Sequence, residues 1–303
     1  MRKKEVLVTG GSGFLGSHIA DLLTDNGYNV TIFDNKKSSY HKDNQKIIVG
    51  DITDHSLVKK IVKKKHAVFH LAAEADIEAS NINIINSIKS NILGTTYLLN
   101  ESVKNNISRF IYASSIYVNS NSGGIYTITK QTSESLIKNF HTLYNLDFTV
   151  LRYGSLYGTR ANDFNWINKT IKKALTTGIL ERSGDGEEIR EYIHIYDAAK
   201  ATVKSLDSSK FKNQFIMLTG SQKIKVRDLL LMIKEMLNNK VKIRYLKQRL
   251  ENHYKITPYS FRPNVAMKYN LEKHIELGEG ILNTIYEIYD NLDKKKIKID
   301  KIL

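Results

Sequence analysis

The chain has no cysteine, which excludes disulfides, thiolate metal sites and cysteine nucleophiles together. Proline is almost as scarce, with two in 303 residues, and no linker or internal repeat marks off an independent second domain. No apolar run approaches the roughly eighteen residues that a membrane-spanning helix needs. The opening MRKKEVLVTGG has a basic start and a short apolar run, but glycines break it early. It reads as a strand and not as a secretion signal. The nine histidines fall at no metal-ligand spacing, so His70, His194 and Asp197 read as structural residues and no metal site is expected. These absences predict a cytoplasmic protein without a membrane partner.

What is present is an ordinary globular composition, 41% hydrophobic, with a net charge of +15. The excess is mostly lysine in pairs and triplets scattered along the chain, such as Lys36-Lys37, Lys63–Lys65 and Lys294–Lys296. No block combines clustered base with exposed aromatics, so a solvated surface is expected and not a nucleic-acid face.

The first two-thirds of the chain alternate strand-like and helix-like segments, with strand-like runs at 5–9, 29–34, 46–50, 67–72, 109–114 and 147–152 and helical stretches between most of them. Apolar, β-branched strands that alternate with helices predict a doubly wound parallel α/β sheet covered on both faces. The pattern loosens after about residue 155. It continues as a helical run near 163–177, a helix near 197–206, a strand near 213–218 and helices near 226–238 and 277–291. The expected division is a dinucleotide-binding domain over 1–155, with 191–219 returning to it, and a smaller mixed substrate lobe from 156–190 and 220–303.

EVLVTGGSGFLGSHIADLL places Gly10, Gly13 and Gly16 between a strand and a helix. Gly10 allows the tight turn, Gly13 allows backbone to approach a pyrophosphate, and Gly16 allows close helix–strand packing. The helix N-terminus then offers free N–H groups to phosphate. Asp34, about twenty residues on, can accept from both adenine-ribose hydroxyls and would repel a 2′-phosphate. This favours NAD over NADP, although Lys36 and Lys37 soften that repulsion. After the third strand, Asp51 and Ile52 can flank the adenine; the alternative is that Asp51 caps the next helix.

Tyr126 and Lys130 lie four residues apart and so share one helix face. An ammonium beside a phenol favours the phenolate, so a tyrosine in this pairing can exchange a proton with a sugar hydroxyl. The chain at this point resembles the extended short-chain dehydrogenase/reductase family, in particular its nucleotide-sugar epimerases and dehydratases. The resemblance rests on TGGSGFLG (9–16), FHLAAEADIEAS (69–80), NILGTTYLL (91–99), YASS (112–115), YTITK (126–130), LRYGSLYG (151–158) and GDGEEIREYIHIYDAA (184–199).

The resemblance implies a Rossmann-type fold and a triad in which Tyr126 is the acid/base, Lys130 holds the nicotinamide ribose and Ser115 bonds the reacting hydroxyl. Ser114 is the alternative to Ser115. It also adds Phe14, Leu15, Asn35, Leu71, Ala72 and Ala73 to the cofactor-binding set. Relatives that dehydrate or decarboxylate sugars usually keep an acid just after the catalytic hydroxyl. Here Ile116 and Tyr117 follow Ser115, and Tyr117 reads as a pocket wall or substrate contact. Loss of water needs both an acid and a base beside the substrate carbons. The expected reaction is therefore C4 epimerisation of a UDP-hexose or UDP-uronic acid through a 4-keto intermediate. Dehydration, decarboxylation and 4-ketosugar reduction are the enzymatic alternatives. From another class comes a catalytically silent NAD(P)-binding regulator.

The substrate loop, Val118 to Ile125, is short and carries Gly123 and Gly124. Ser155 stands where relatives commonly have an asparagine against the sugar diphosphate. Arg190 matches a family arginine that binds the diphosphate, and Arg262 is the candidate for a second. Asn165 and Trp166 either approach the sugar or base, or pack structurally. Two long helices, roughly 82–105 and 126–144, resemble those that pair between subunits, so a homodimer is expected.

Overall fold

The computed structural model describes residues 3–247, 253–258 and 266–295. Eight parallel strands build the larger sheet: β1 (Glu5–Thr9), β2 (Asn29–Asp34), β3 (Lys46–Val49), β4 (Ala67–His70), β5 (Arg109–Ser115), β6 (Phe148–Tyr153), β10 (Gln214–Leu218) and β13 (Met267–Lys268). Their order is β13-β10-β6-β5-β4-β1-β2-β3. The chain winds outward from β1 in one direction through β2 and β3, then in the other through β4, β5 and β6. The reversal lies between β1 and β4, and Gly10 follows β1 at that switch point, where open α/β sheets bind ligands. The fold is Rossmann-type, and its strands run apolar because both faces are covered: Val6, Leu7, Val8, Val68 and Phe69 are all fully buried.

Cα proximity divides the chain into two compact units. The first takes Met1–Tyr153, Ala198–Leu218 and Pro258–Tyr269; the second takes Gly154–Asp197, Thr219–Thr257 and Asn270–Leu303. In the first unit the helices are α1 (Phe14–Asp25), α2 (His55–Val62), α3 (Ile77–Ile82), α4 (Ile84–Ile88), α5 (Gly94–Lys104), α6 (Gly124–Tyr144) and most of α8 (Ile195–Lys204). Its core joins Leu7, Phe33, Val68, Phe110, Tyr112 and Val150 of the sheet to Val58, Leu98, Leu99 and Ile137 of the helices.

The stretch read as one long helix over 82–105 is interrupted twice. Asn83, at φ −108° and ψ 56°, separates α3 from α4, and a π turn at Lys89–Leu93 separates α4 from α5. The π turn brings the buried Asn91 inward, where its amide donates to Glu74 O (3.1 Å) and Thr129 Oγ1 (3.0 Å) and accepts from Glu74 N (2.7 Å).

The second unit holds two small sheets. One has the order β11 (Lys223–Lys225), β9 (Ile189–His194), β7 (Ser155–Tyr157); the other pairs β12 (Lys242–Leu246) with β8 (Ile179–Ser183). Three helices, α7 (Trp166–Thr177), α9 (Val226–Met236) and α10 (Leu277–Lys294), enclose a core of Ile171, Leu175, Leu180, Leu229, Ile233, Ile281 and Ile285. These strands are short or mixed in polarity, and β9 carries Arg190 and Glu191 inside it, so no strand period announces them. Among the described residues no helix is long and apolar enough to cross a membrane, and no group of histidine and carboxylate side chains could hold a metal ion.

Candidate active site

The glycine turn closes as tightly as its spacing requires. Gly10 has φ +70°, and a Cβ there would stand 2.6 Å from Ala72 N; a Cβ on Gly16 would stand 2.1 Å from Gly10 O. Only glycine fits either position, and the chain pays for this with backbone freedom. Gly13 is the N-cap residue of α1 and has no side chain, so Phe14, Leu15 and Gly16 begin the helix with their N–H groups uncapped by any side chain. Leu71 N donates to Thr9 O, which draws Leu71, Ala72 and Ala73 against the same turn.

Asp34 ends β2 and is buried; its Oδ2 accepts from Ser12 N (2.9 Å) and its Oδ1 from Lys36 N (3.3 Å). Those two bonds fix the carboxylate and leave lone pairs for ribose hydroxyls. Asn35 follows in the exposed turn. Asp51 does not cap a helix. Its Oδ1 accepts from Thr53 N and Thr53 Oγ1 (both 2.8 Å), while Asp54 caps α2 through Leu57 N (3.0 Å). Ile52 is buried against Gly94. A glycine cradle that no Cβ could enter, a capless helix start and an anchored carboxylate fit NAD.

Ser115 ends β5, and Tyr126 and Lys130 lie on the first turns of α6. That helix begins at an unusual corner. Gly123 (φ +91°) and Gly124 (φ +51°) both take left-handed backbone, and Asn81 Oδ1 accepts from Ile125 N at 3.0 Å. The corner turns the chain sharply enough to set Tyr126 against the end of β5. The Ser115 hydroxyl lies near enough to the Tyr126 phenol to favour its ionised form. Lys130 is 3% exposed; its Nζ donates to Ala113 O (2.8 Å) and lies 4.8 Å from the Tyr112 ring centroid and 5.7 Å from that of Tyr126.

Burial pushes the Tyr126 phenol up to about 12, with the neighbouring Ser115 hydroxyl pulling the other way. Burial pushes Lys130 down to about 8, opposed by the negative charge of Glu134. The sequence argument that an adjacent ammonium favours the phenolate is therefore outweighed here by desolvation. To accept a proton near neutrality Tyr126 needs further positive charge, and the oxidised cofactor has the required sign.

The structure separates the two candidate serines. Ser114 Oγ donates to Glu134 Oε1 at 2.6 Å and is committed to a buried carboxylate, whereas Ser115 Oγ meets Tyr126 and accepts from Tyr117 N at 3.3 Å. The Tyr117 ring meets the Tyr126 ring edge-on, 6.3 Å between centroids, and packs over Gly123. His70 is fully enclosed between Thr9 Oγ1 and Thr95 Oγ1 (2.8 Å each), and burial holds it neutral by pushing it down to about 3.

In the second unit Ser155 and Arg190 meet at a residue that sequence reasoning missed. The Arg190 guanidinium is buried and lies 4.1 Å from the ring centroid of Tyr254, whose hydroxyl is hydrogen-bonded to Ser155. Arg190 donates to Ile189 O (3.2 Å), and among the described residues no carboxylate pairs with it. A second buried arginine of the unit differs: Arg182 donates to Glu188 Oε1 (2.8 Å) and lies 4.7 Å from the Trp166 ring. A desolvated guanidinium stacked on a tyrosine, with no counter-ion among the described residues, is suited to bidentate contact with phosphate. Arg262 lies outside the described residues. Asn165 caps α7 through Asn168 N (3.2 Å) and donates to Leu156 O (2.9 Å), and Asp197 accepts from Ile275 N (2.8 Å), so both amide and acid are spent on the fold.

A Rossmann-type sheet gathers a serine, a tyrosine and a lysine at one strand end. The chain belongs to the NAD dependent epimerase/dehydratase family, whose model matches residues 6–217. It is 29% identical to a putative UDP-glucose 4-epimerase from Methanocaldococcus jannaschii, over 94% of this chain and 99% of that protein. It is 28% identical to a UDP-N-acetyl-alpha-D-glucosaminuronate decarboxylase from Bacillus cytotoxicus, over 94% and 95%. A UDP-N-acetylglucosamine 4-epimerase from Methanobrevibacter ruminantium, solved with UDP-N-acetylmuramic acid, superposes with a TM-score of 0.83 at 28% identity, over 96% of this chain and 100% of that one. The family's cofactor is NAD.

Proposed function

We propose that the chain is an NAD-dependent nucleotide-sugar 4-epimerase acting in the cytoplasm on a UDP-hexose or UDP-uronic acid. The carrying observation is the gathering of Ser115, Tyr126 and Lys130 at the end of β5, followed by a segment, Ile116–Ile125, that contains no carboxylate. In this reading Tyr126 takes the proton of the C4 hydroxyl as C4 is oxidised, and returns it once the 4-keto sugar has turned over. Ser115 holds that hydroxyl, Lys130 holds the nicotinamide ribose, and Tyr117 walls the pocket. NAD, when bound, supplies the hydride acceptor and donor. Gly10, Gly13, Phe14, Leu15 and Gly16 receive its pyrophosphate, Asp34 and Asn35 its adenine ribose, and Asp51, Ile52, Leu71, Ala72 and Ala73 line its adenine and nicotinamide sides. In the second unit Arg190 and Ser155 receive the diphosphate, with the Tyr254 ring beneath the guanidinium.

The protein acts as a homodimer in this reading. Ile82 and Ile85, 78% and 64% exposed, and Ile88 and Ile128 leave apolar surface on α3, α4 and α6 that a second copy would cover. Replacing Ile85 with glutamate should then yield monomer by light scattering; an already monomeric parent would refute the dimer.

The deciding experiment incubates the NAD-loaded protein with UDP-glucose, UDP-N-acetylglucosamine and UDP-glucuronate and follows products by NMR. A C4 epimer with no net NADH supports the proposal. A 4-keto-6-deoxy sugar, released CO₂ or stoichiometric NADH consumption would replace it with dehydration, decarboxylation or reduction. No turnover of any sugar by NAD-loaded protein would favour the silent regulator.

A further inference from the structure

Beneath Ser115, Tyr126 and Lys130 lies a buried carboxylate that the proposed reaction does not use. Glu134 is one helical turn beyond Lys130 and is buried. Its Oε1 accepts from Ser114 Oγ (2.6 Å) and Arg152 Nε (2.9 Å), and its Oε2 accepts from Arg152 Nη2 (2.6 Å). Arg152, on β6 and equally buried, spends its remaining Nη1 on Asn119 Oδ1 at 3.2 Å. Asn119 closes the short turn Ile116–Asn119 that follows Ser115. Three elements, the end of β5, that turn and α6, are therefore tied to one ion pair, each one or two residues from a proposed site residue or one turn along the helix from it.

We propose that Glu134 is the positioning residue of this centre: its carboxylate fixes the strand end carrying Ser115, the turn carrying Tyr117 and the helix face carrying Tyr126 and Lys130, and supplies the negative charge beside Lys130. The inference rests on the epimerase reading of that triad. A packing role alone would need neither a charge nor a bidentate partner, because an apolar pair of similar volume fills such a site as well. The other groups facing Lys130 are Ala113 O and the Tyr112 ring from β5, Tyr126 on its own helix and His70 on β4. His70 is held neutral by burial, and neither tyrosine carries charge near neutrality, so Glu134 is the compensating anion among them. With that charge removed, the burial that pushes Lys130 down acts unopposed.

The test is Glu134→Gln on the NAD-loaded protein. The expected result is a loss of about tenfold or more in kcat with KM for the nucleotide sugar changed little. The alkaline limb of kcat/KM should also move to lower pH by about one unit, and Glu134→Asp should return that limb toward the parental position. If Glu134→Gln does not fold, the double change Glu134→Leu with Arg152→Met replaces the pair by apolar side chains and carries the same expectation. A substrate-free readout separates this inference from the proposed reaction. Phenolate absorbance titrated with and without Tyr126→Phe should show Tyr126 ionising at lower pH once Glu134 is neutral, because an anion is removed, the Arg152 cation stays, and Lys130 is already deprotonated where the phenol titrates. Parental kcat and an unmoved limb in a folded variant would overturn the proposal. So would a lower kcat with both the limb and the Tyr126 titration unmoved, since packing alone would explain it. A parent that epimerises nothing but shows the Tyr126 displacement would leave Glu134 in place and remove the epimerase reading instead.

Discussion

Lys130 in the first unit and Arg190 in the second are both buried cations laid over tyrosine rings, at 4.8 Å from Tyr112 and 4.1 Å from Tyr254. Lys130 has a carboxylate, Glu134, acting on it from one turn along its own helix, and burial still brings it down to about 8. Arg190 has no paired carboxylate among the described residues and donates only to a backbone carbonyl, Ile189 O. An amine yields its proton when desolvated, whereas a guanidinium keeps its charge. One cation is thus placed where protonation can be adjusted, and the other where a fixed charge waits for an anion. The proposed division of labour follows: proton traffic in the first unit, diphosphate in the second.

The comparison breaks most visibly at the phenol that Lys130 serves. Tyr126→Phe should lower turnover by about 10²–10⁴-fold, the range general acid–base groups supply, while the protein retains NAD. Retained turnover would take Tyr126 out of its role and Lys130 with it. Arg190→Met should act on the other parameter, raising KM for the nucleotide sugar by about thirtyfold or more with a smaller change in kcat. It should not lower the unfolding midpoint, because removing a buried charge with no paired carboxylate among the described residues relieves a desolvation cost. A falling midpoint with KM intact would make Arg190 a structural residue.

Much of this contrast could be read along the sequence, and the unread part has a common cause. The turn from Gly10 to Gly16, the acid at Asp34 and the pair Tyr126 and Lys130 are local patterns, and the fold positions them as their spacing implies. Glu134 was within reach too, since Tyr126, Lys130 and Glu134 recur at every fourth residue of one helix face. Its partner Arg152 was not, because a pair joining α6 to β6 has no period to betray it. Tyr254 lies 64 residues from Arg190 in a stretch of weak regularity, and nothing in its neighbours marks it as an aromatic platform. Local chemistry is legible because spacing encodes it; the compensation of buried charge is not, because it is settled between elements only when they pack.

A pH profile sharpens the contrast without a mutation. Lys130 is lowered by burial to about 8, so its ammonium is present below that value and is lost as pH rises through it. One unit above, only about a tenth of the chains keep the charge, and kcat/KM should fall by about tenfold if the ammonium is required. Substrate affinity that depends on the Arg190 guanidinium should stay flat across the same range. A KM that rose in step with the loss of kcat would mean that Lys130, and not Arg190, carries the diphosphate.

The finest distinction concerns the ring beneath Arg190. Cation–π contact at a desolvated site contributes about 0.5–2 kcal/mol, and the Tyr254 hydroxyl additionally holds Ser155. Tyr254→Phe keeps the ring and loses the hydroxyl, whereas Tyr254→Leu loses both. If the ring orients the guanidinium, the leucine variant should raise KM about threefold by losing a contact at the low end of that range, and the phenylalanine variant should match the parent. Equal effects would assign the contribution to the Ser155 hydrogen bond. The cation of the second unit would then owe its orientation to a hydroxyl network, as the Ser114–Glu134–Arg152 chain orders the first, and the two sites would be alike where they now look different.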